Sequence, residues 1–277
     1  MHSPSLVVAT AALARRLEHS DASRLADYAR GFARLHPGSG AEARELAGGV
    51  AVFTRADYPL NRATALGLDG PVTLEQLLAV EAFYARHGVE PAVELCPLAH
   101  PTLLELLARR GYTPRRFLQA NHLPLGHEAT EAGAPPPGLT VSHAAPSEVD
   151  RWVDTLAEGF GEGGPVSRNS IDSVLARLAV DMEGTRLYFA RWEGEVAAAA
   201  GLHVRDGVAT LFGAATRPTF RRRGAQSALI HARLRDARAL GCDLAVVFTS
   251  PESASLANEA RAGFRVAYTR VLVARMP

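Results

Sequence analysis

Four arginines fall within seven positions of the stretch RPTFRRRGAQSALI, residues 217–230. They are Arg217, Arg221, Arg222 and Arg223, and Gly224 follows them. A guanidinium is a planar, permanently charged fork that grips phosphate through paired hydrogen bonds. A glycine lets the backbone approach an anion with no Cβ in the way. The residues after Gly224 read as a helix, and the first N–H groups of a helix have no partner inside it. The helix dipole adds partial positive charge there, worth about 0.3–1 kcal/mol per anionic contact. The apolar strand VATLFGAAT (208–216) leads into the turn. Strand, basic glycine turn and helix together describe a polyphosphate site. The turn is neither of two familiar ones: it lacks the GxxxxGK[ST] of nucleoside triphosphatases and the GxGxxG of dinucleotide folds.

The elements around the turn must hold it in place. LTVSH, from Leu139, reads as a strand. Ser147 can cap a helix that runs to about Gly159, with Asp150 as a weak capping-box partner. A second helix covers about Ser170 to Met182. RLYFARW (186–192) and EVAAAAGLHVR (195–205) read as strands joined at Glu193-Gly194. Asp206-Gly207 is a strong hairpin signal into the strand before the turn. The helix after the turn ends at Gly241. The strand LAVVFT, a helix near Ser253–Ala262 and two final strands in FRVAYTRVLVA follow. This order predicts an α/β (α+β) fold, a mixed and mainly antiparallel sheet flanked by helices.

The chain is long enough for two such units at 277 residues. GHEATEAGAPPPG, residues 126–138, has no apolar periodicity and three consecutive prolines, and reads as a linker. The segments on either side are similar. GVEPAVELCPLAHPTLLELLARRGY starts at Gly88 and GCDLAVVFTSPESASLANEARAGF at Gly241. Each runs glycine, strand, proline-containing turn, helix, then Gly-aromatic. The expected division is 1–125, linker 126–138, and 139–277.

Thirty basic and 29 acidic residues balance, which argues against a general nucleic-acid or membrane binder. All thirty are arginines. Two cysteines, Cys96 and Cys242, form no disulfide framework, and no ligand clustering suggests a metal. LVVATAALA (6–14) lacks a basic stretch before it and is followed by Arg15 and Arg16, so it reads as an ordinary helix. No run approaches the ~18 apolar residues of a membrane span. A cytoplasmic protein is expected.

The spacing P218-x-x-R221-x-x-G224-x-Q226 resembles the signature turn of the GNAT superfamily of acyl-CoA-dependent N-acyltransferases. That signature is R/Q-x-x-G-x-G/A after the fourth strand; here its last position is Gln226. The resemblance spans about residues 139–275, including SPESASLANEARAGF. It implies an acetyl-CoA-dependent N-acetyltransferase acting on a small-molecule or protein amine. A CoA-binding sensor without transfer activity is the alternative. The resemblance further implies that backbone groups of Ala214, Ala215 and Thr216 meet the pantetheine arm. Arg221, Arg222, Arg223, Gly224, Ala225, Gln226 and Ser227 would cradle the pyrophosphate, and Asn258 would contact the cofactor. The first half resembles a degenerate copy of the fold. Its counterpart turn, GLDGPVTLEQ (67–76), has no arginine, and Asp69 and Glu75 would repel phosphate. One co-substrate per chain is expected.

Relatives place a catalytic glutamate on or near the fourth strand, but VATLFGAAT has no carboxylate. Glu158 and Glu162, in EGFGEGG, are the candidate bases. The position of the usual tyrosine acid is occupied by Glu259. Tyr268 is the candidate substitute, with Tyr188 a further possibility. His203 and His231 read as surface residues of a strand and a helix.

Overall fold

Thr10 starts the first helix, its Oγ1 accepting a hydrogen bond from the Leu13 amide at 3.1 Å. From there the computed structural model describes residues 9–126, 134–161, 171–180, 182–253 and 255–275. In chain order the elements are α1 (Ala11–Leu35), β1 (Glu42–Leu46), β2 (Gly49–Phe53), β3 (Arg62–Thr64), α2 (Leu74–Ala85), β4 (Ala92–Leu95), α3 (Pro101–Arg109) and β5 (Thr113–Pro124). There follow β6 (Leu139–His143), a short 3-10 turn, α4 (Val149–Phe160), α5 (Ile171–Val180), β7 (Thr185–Trp192), β8 (Glu195–Arg205) and β9 (Val208–Thr216). A second 3-10 turn, α6 (Ala225–Ala239), β10 (Leu244–Thr249), α7 (Ser255–Arg261) and β11 (Arg265–Ala274) complete the chain.

Two compact units result, and they do not follow the linear division at the linker. The first comprises Met1–Asn121, Phe248–Ser253 and Arg265–Pro277, and the second His122–Val247 with Ala254–Phe264. The sequence reading gave the C-terminal residues to the second unit as two strands. They form one strand, β11, which pairs antiparallel with β4 from Val271↔Leu95 to Ala274↔Ala92. Backbone pairing across residues so distant in sequence leaves no local signal.

In the first unit the strand order is β1-β2-β3-β4-β11-β5. The pairs from β1 to β3 are antiparallel, and β3 meets β4 in parallel after the crossover through α2. In the second unit the order is β10-β9-β8-β7-β6. There β6 to β9 are antiparallel, and β9 meets β10 in parallel after the crossover through α6. The same sequence of pairings therefore appears twice. The paired glycines noted in the sequence agree: Gly88, Gly111, Gly241 and Gly263 are all left-handed, with φ of 67°, 77°, 78° and 92°. Each ends a helix, and the amides of Tyr112 and Phe264 close the same bond, to Leu107 and Glu259, both at 3.0 Å.

The second unit buries β8 almost throughout, consistent with helices on both faces. On one face Leu229 and Leu234 of α6 pack with Ala200, Leu202 and Leu211 of the sheet. On the other, Trp152 and Leu156 of α4 pack with Phe189, Ala199 and Ala215 of the sheet. The predicted hairpins are present, with Glu193, Gly194, Asp206 and Gly207 all at positive φ. The helix cap differs from the expectation. The Ala145 amide donates to Glu148 at 3.1 Å, and Asp150 instead pairs with Arg177 at 2.7 Å. A proline at 146 starts the turn one residue before Ser147, so the capping carboxylate moves with it.

Charge, rather than apolar packing, fills one part of the first unit. Glu18 and Asp21 on α1, Glu94 on β4 and Arg270 on β11 are each at most 1% exposed. Arg270 reaches Glu18 at 3.1 Å, Asp21 at 2.7 Å and Glu94 at 3.5 Å. Its guanidinium also lies 3.8 Å from the Phe248 ring centroid. Arg62 pairs with Glu94 as well. Burial works against the charged form of Arg270, but the three carboxylates outweigh it and raise its pKa. Removing one partner of such a cluster leaves buried charge uncompensated. Arg270→Met should cost about 3–5 kcal/mol of stability, read by chemical denaturation.

Candidate functional site

The site begins with a bulge. Between β8 and β9 the register runs Ala199↔Ala215 and then Gly201↔Phe212, so β9 carries one extra residue. Gly213 sits there with φ of 53°. The interrupted ladder coincides with two β8 carbonyls that take side-chain donors. Ala200 accepts from the Trp152 indole at 3.2 Å, and Gly201 from Arg233 at 3.1 Å. Both helices flanking the sheet are thereby pinned to the same point. Burial lowers the Arg233 pKa to about 10.

On its other edge β9 pairs with β10 from Val208 to Thr210. Ala214, Ala215 and Thr216 run past that pairing toward the turn. α4 presses closely onto this end of β9. A Cβ placed on Gly159 would lie 2.5 Å from the Ala215 Cβ and 3.0 Å from the Thr216 amide nitrogen. Gly159 is required there by steric approach rather than by its own dihedral angles.

The turn itself separates the four arginines by task. Arg217 is structural. It donates to Glu158 at 2.6 Å, to Glu195 at 2.9 Å and to the Val196 carbonyl at 2.9 Å. Arg221 donates to the Gly159 carbonyl at 3.1 Å, closing the turn over α4. Arg222 is exposed and left-handed, with φ of 64°. Arg223 is exposed, with its guanidinium 5.3 Å from the Trp192 ring and 5.6 Å from Phe220. Gly224 is the N-cap of α6 at φ 81° and ψ 0°, and no side chain caps that helix. No acidic residue lies in its first turn. The backbone amides of Ala225, Gln226 and Ser227 therefore begin α6 without the capping oxygen that most helices supply. Gln226, the departure from the expected small residue, turns its side chain back and donates to Thr216 Oγ1 at 2.8 Å.

The counterpart in the first unit is built the opposite way. Thr73 caps α2, accepting from the Gln76 amide at 3.2 Å, and Gln76 accepts from the Thr73 amide at 2.9 Å. Asp69 pairs with Arg15 at 2.7 Å. Glu75 occupies the first turn of the helix. The Gln76 amide is thus already bonded, and Glu75 sets a negative charge beside the start of the helix.

The remaining predicted residues scatter. Glu158 lies near the turn but is held by Arg217, whose pKa that bond raises. Glu162 lies outside the described residues. Asn258 is half-buried on α7 and accepts from Arg261 at 2.6 Å. Tyr268 belongs to the other compact unit, where it is buried and donates to Glu18 at 2.8 Å. Burial, reinforced by the Glu18 charge, raises its pKa, which makes it a poor proton donor. Tyr188 is buried too and donates to Asp236 at 2.8 Å. His203 is buried on β8, not a surface residue. The sequence reading missed Gly159 and the clamping role of Arg217. Only their neighbourhood, a glycine amid EGFGEGG and an arginine before proline, hinted at either.

Residues 150–264 match the model of the acetyltransferase (GNAT) family. A tandem GNAT protein from the clavulanic acid biosynthesis pathway superposes over 96% of this chain and 94% of its own, with TM-score 0.63 and 16% identity. The chain has the GNAT fold in tandem. A GCN5-related N-acetyltransferase from Kribbella flavida gives TM-score 0.65 at 18% identity, covering 92% of this chain and 95% of its own. Another from Sphaerobacter thermophilus gives 0.58 at 17%, covering 85% and 75%. No curated protein matches the sequence significantly. The match to the GNAT family model supports acyl transfer as the general class of reaction. Among the described residues no helix is long and apolar enough to cross a membrane, and no group of side chains could hold a metal ion.

Gly159→Ala should push α4 away from β9 of the GNAT fold, at a cost of about 1–3 kcal/mol. Thermal unfolding measures that loss. Glu158→Gln, which breaks only a partly exposed ion pair, should change stability by at most about 1 kcal/mol.

Proposed function

We propose that the protein is an acetyl-CoA-dependent N-acetyltransferase with one co-substrate site, in its second unit, and an amine acceptor. One observation carries the reading. The helix after β9 starts on a left-handed glycine with no side-chain cap, directly behind exposed arginines, while its counterpart in the first unit is capped and acidic. The residues present fit a polyphosphate. Backbone amides of Ala225, Gln226 and Ser227 would hold the pyrophosphate, with Arg222 and Arg223 adding charge-assisted bonds. Arg221 keeps the turn closed on Gly159 and has further donors to offer. Backbone groups of Ala214 to Thr216 would pair with the pantetheine arm, and Asn258, on α7, would contact the co-substrate.

When bound, acetyl-CoA supplies an acyl thioester. The chain's task is to hold that thioester against a neutral amine, whose nitrogen forms the new bond as the C–S bond breaks and the amine proton is released. A backbone N–H at the end of β9 is suited to the developing oxyanion. Glu158, already paired with Arg217, is better placed to orient the turn than to take a proton. Tyr268 is not proposed as the acid, because Glu18 holds it in the other unit. A thiol leaving group with pKa of about 8.5 can depart unassisted.

Calorimetric titration with acetyl-CoA should show one-to-one micromolar binding. It should be abolished in Gly224→Glu and in the triple change of Arg221, Arg222 and Arg223 to alanine. Retained affinity in both variants would overturn the assignment of the turn. An amine screen with free-thiol detection then reads transfer itself.

A further inference from the structure

The buried layer between α1 and the sheet of the first unit holds three carboxyl groups that the reading above leaves unused. The side chains of Glu18, Asp21 and Glu94 have no solvent exposure. Their cationic partners are unevenly shared. Asp21 has Arg24 at 2.5 Å and Arg270 at 2.7 Å. Glu94 has Arg62 against it, Arg270 at 3.5 Å and Arg116 at 4.0 Å. Among the described residues Glu18 has only its share of Arg270, at 3.1 Å. Its other partners are hydroxyls. Tyr268 donates to Glu18 Oε1 at 2.8 Å, and the Thr64 hydroxyl on β3 lies 3.5 Å from Oε2.

That difference decides where a proton can sit. A guanidinium only donates hydrogen bonds, whereas a hydroxyl can turn and accept one. The ion-pair partners of Asp21 and Glu94 are all guanidiniums, so those two carboxyls are suited to stay ionised. Glu18 faces two groups able to accept a hydrogen from it. An ionised Glu18 would lie between two other carboxylates with one shared counter-charge, and a buried charge so placed is costly. Cys96 on β4, also near, is a neutral thiol whose pKa burial pushes up to about 12. The electrostatics follow the same division. Burial pushes the Glu18 carboxyl above its usual range, and Arg270 and the Tyr268 hydrogen bond offset it only in part. Burial acts on Asp21 and Glu94 too, but Arg270 with Arg24 holds the first below the usual range, and Arg62 with Arg270 the second.

We infer that Glu18 is a neutral carboxylic acid in the folded protein at neutral pH, and that its proton locks α1 onto the sheet. Losing that proton leaves three carboxylates in one sealed layer and loosens the seat of α1. The native state holds the proton more tightly than the unfolded chain does. This contribution to stability is therefore complete below the unfolded value of about 4.5 and is lost as pH rises through the raised native value. Asp21 and Glu94, whose values are lowered, act the other way and only in more acid solution. The raised values of Tyr268 and Arg270 concern alkaline solution, where Glu18 has already ionised.

Infrared difference spectra of the full chain, wild type against Glu18→Gln, test the assignment. At about pH 7, where ordinary carboxyl groups are ionised, the wild type should show the carbonyl band of one protonated carboxylic acid. Glu18→Gln should lack that band, and in the wild type it should vanish as the solution is made alkaline. Chemical denaturation gives a second readout. Glu18→Gln exchanges one neutral group for another and should keep the wild-type midpoint at neutral pH. Asp21→Asn and Glu94→Gln take charge away from buried arginines and should lower it. Relative to Glu18→Gln, the wild-type midpoint should fall through the pH range in which the band vanishes. No band in the wild type at about pH 7 would overturn the inference, as would a band that persists in Glu18→Gln. So would a Glu18→Gln chain that fails to fold or is as destabilised as the other two variants, because a neutral acid tolerates that exchange.

Discussion

A helix that begins without a cap leaves backbone amides that something must satisfy. At α6 that constraint organises the second unit. Gly224 reaches its left-handed conformation at little cost because it lacks a Cβ, and lacking a side chain it cannot cap. The surroundings preserve this arrangement. Arg221 ties the turn to Gly159, Gln226 ties the helix to Thr216, and Arg217 ties the end of β9 to Glu158 and Glu195. The side chains of Arg222 and Arg223 remain exposed around the amides. The turn is thus tied at several points while its charge stays exposed, an arrangement that suits an anion.

The first unit shows what happens when the same element order is relieved of that constraint. Thr73 and Gln76 satisfy each other's backbone, and Asp69 is neutralised by Arg15. Its interior carries a buried ion cluster around Arg270. Such a cluster is costly to desolvate and costly to break, and it ties α1, β4 and β11 together. Two copies of one architecture differ at this point, one with an uncapped helix start behind exposed arginines and the other with a capped helix start and a charge-paired core.

Much of this was legible residue by residue. The hairpins at Glu193-Gly194 and Asp206-Gly207, the helix stops at Gly88 and Gly241, and the glycine-started helix at Gly224 are all local. Their conformations depend on the residues at the turn and little else. The contrast between the two turns was legible as well, because one has arginines where the other has none and carries Asp69 and Glu75. The catalytic candidates were less legible. Glu158 and Tyr268 stand out in the sequence only by residue type and by position relative to motifs, and their partners come from other elements.

By itself, then, the sequence determined the element order, the repeat, the turns and the location of the charge. Those follow from backbone preferences and periodicities that act over a few residues. Only the tertiary structure decided which arginines are spoken for, since Glu158, Glu195 and Gly159 reach the turn from other elements. It alone decided that β11 completes the first unit, and that Tyr268 serves Glu18 there. It also turned the prolines of an apparent linker into the wall of a cavity. Strand pairing, ion pairing and close approach depend on what lies nearby in space, and neighbours up to 252 residues apart, such as Glu18 and Arg270, carry no mark of it in their local sequence.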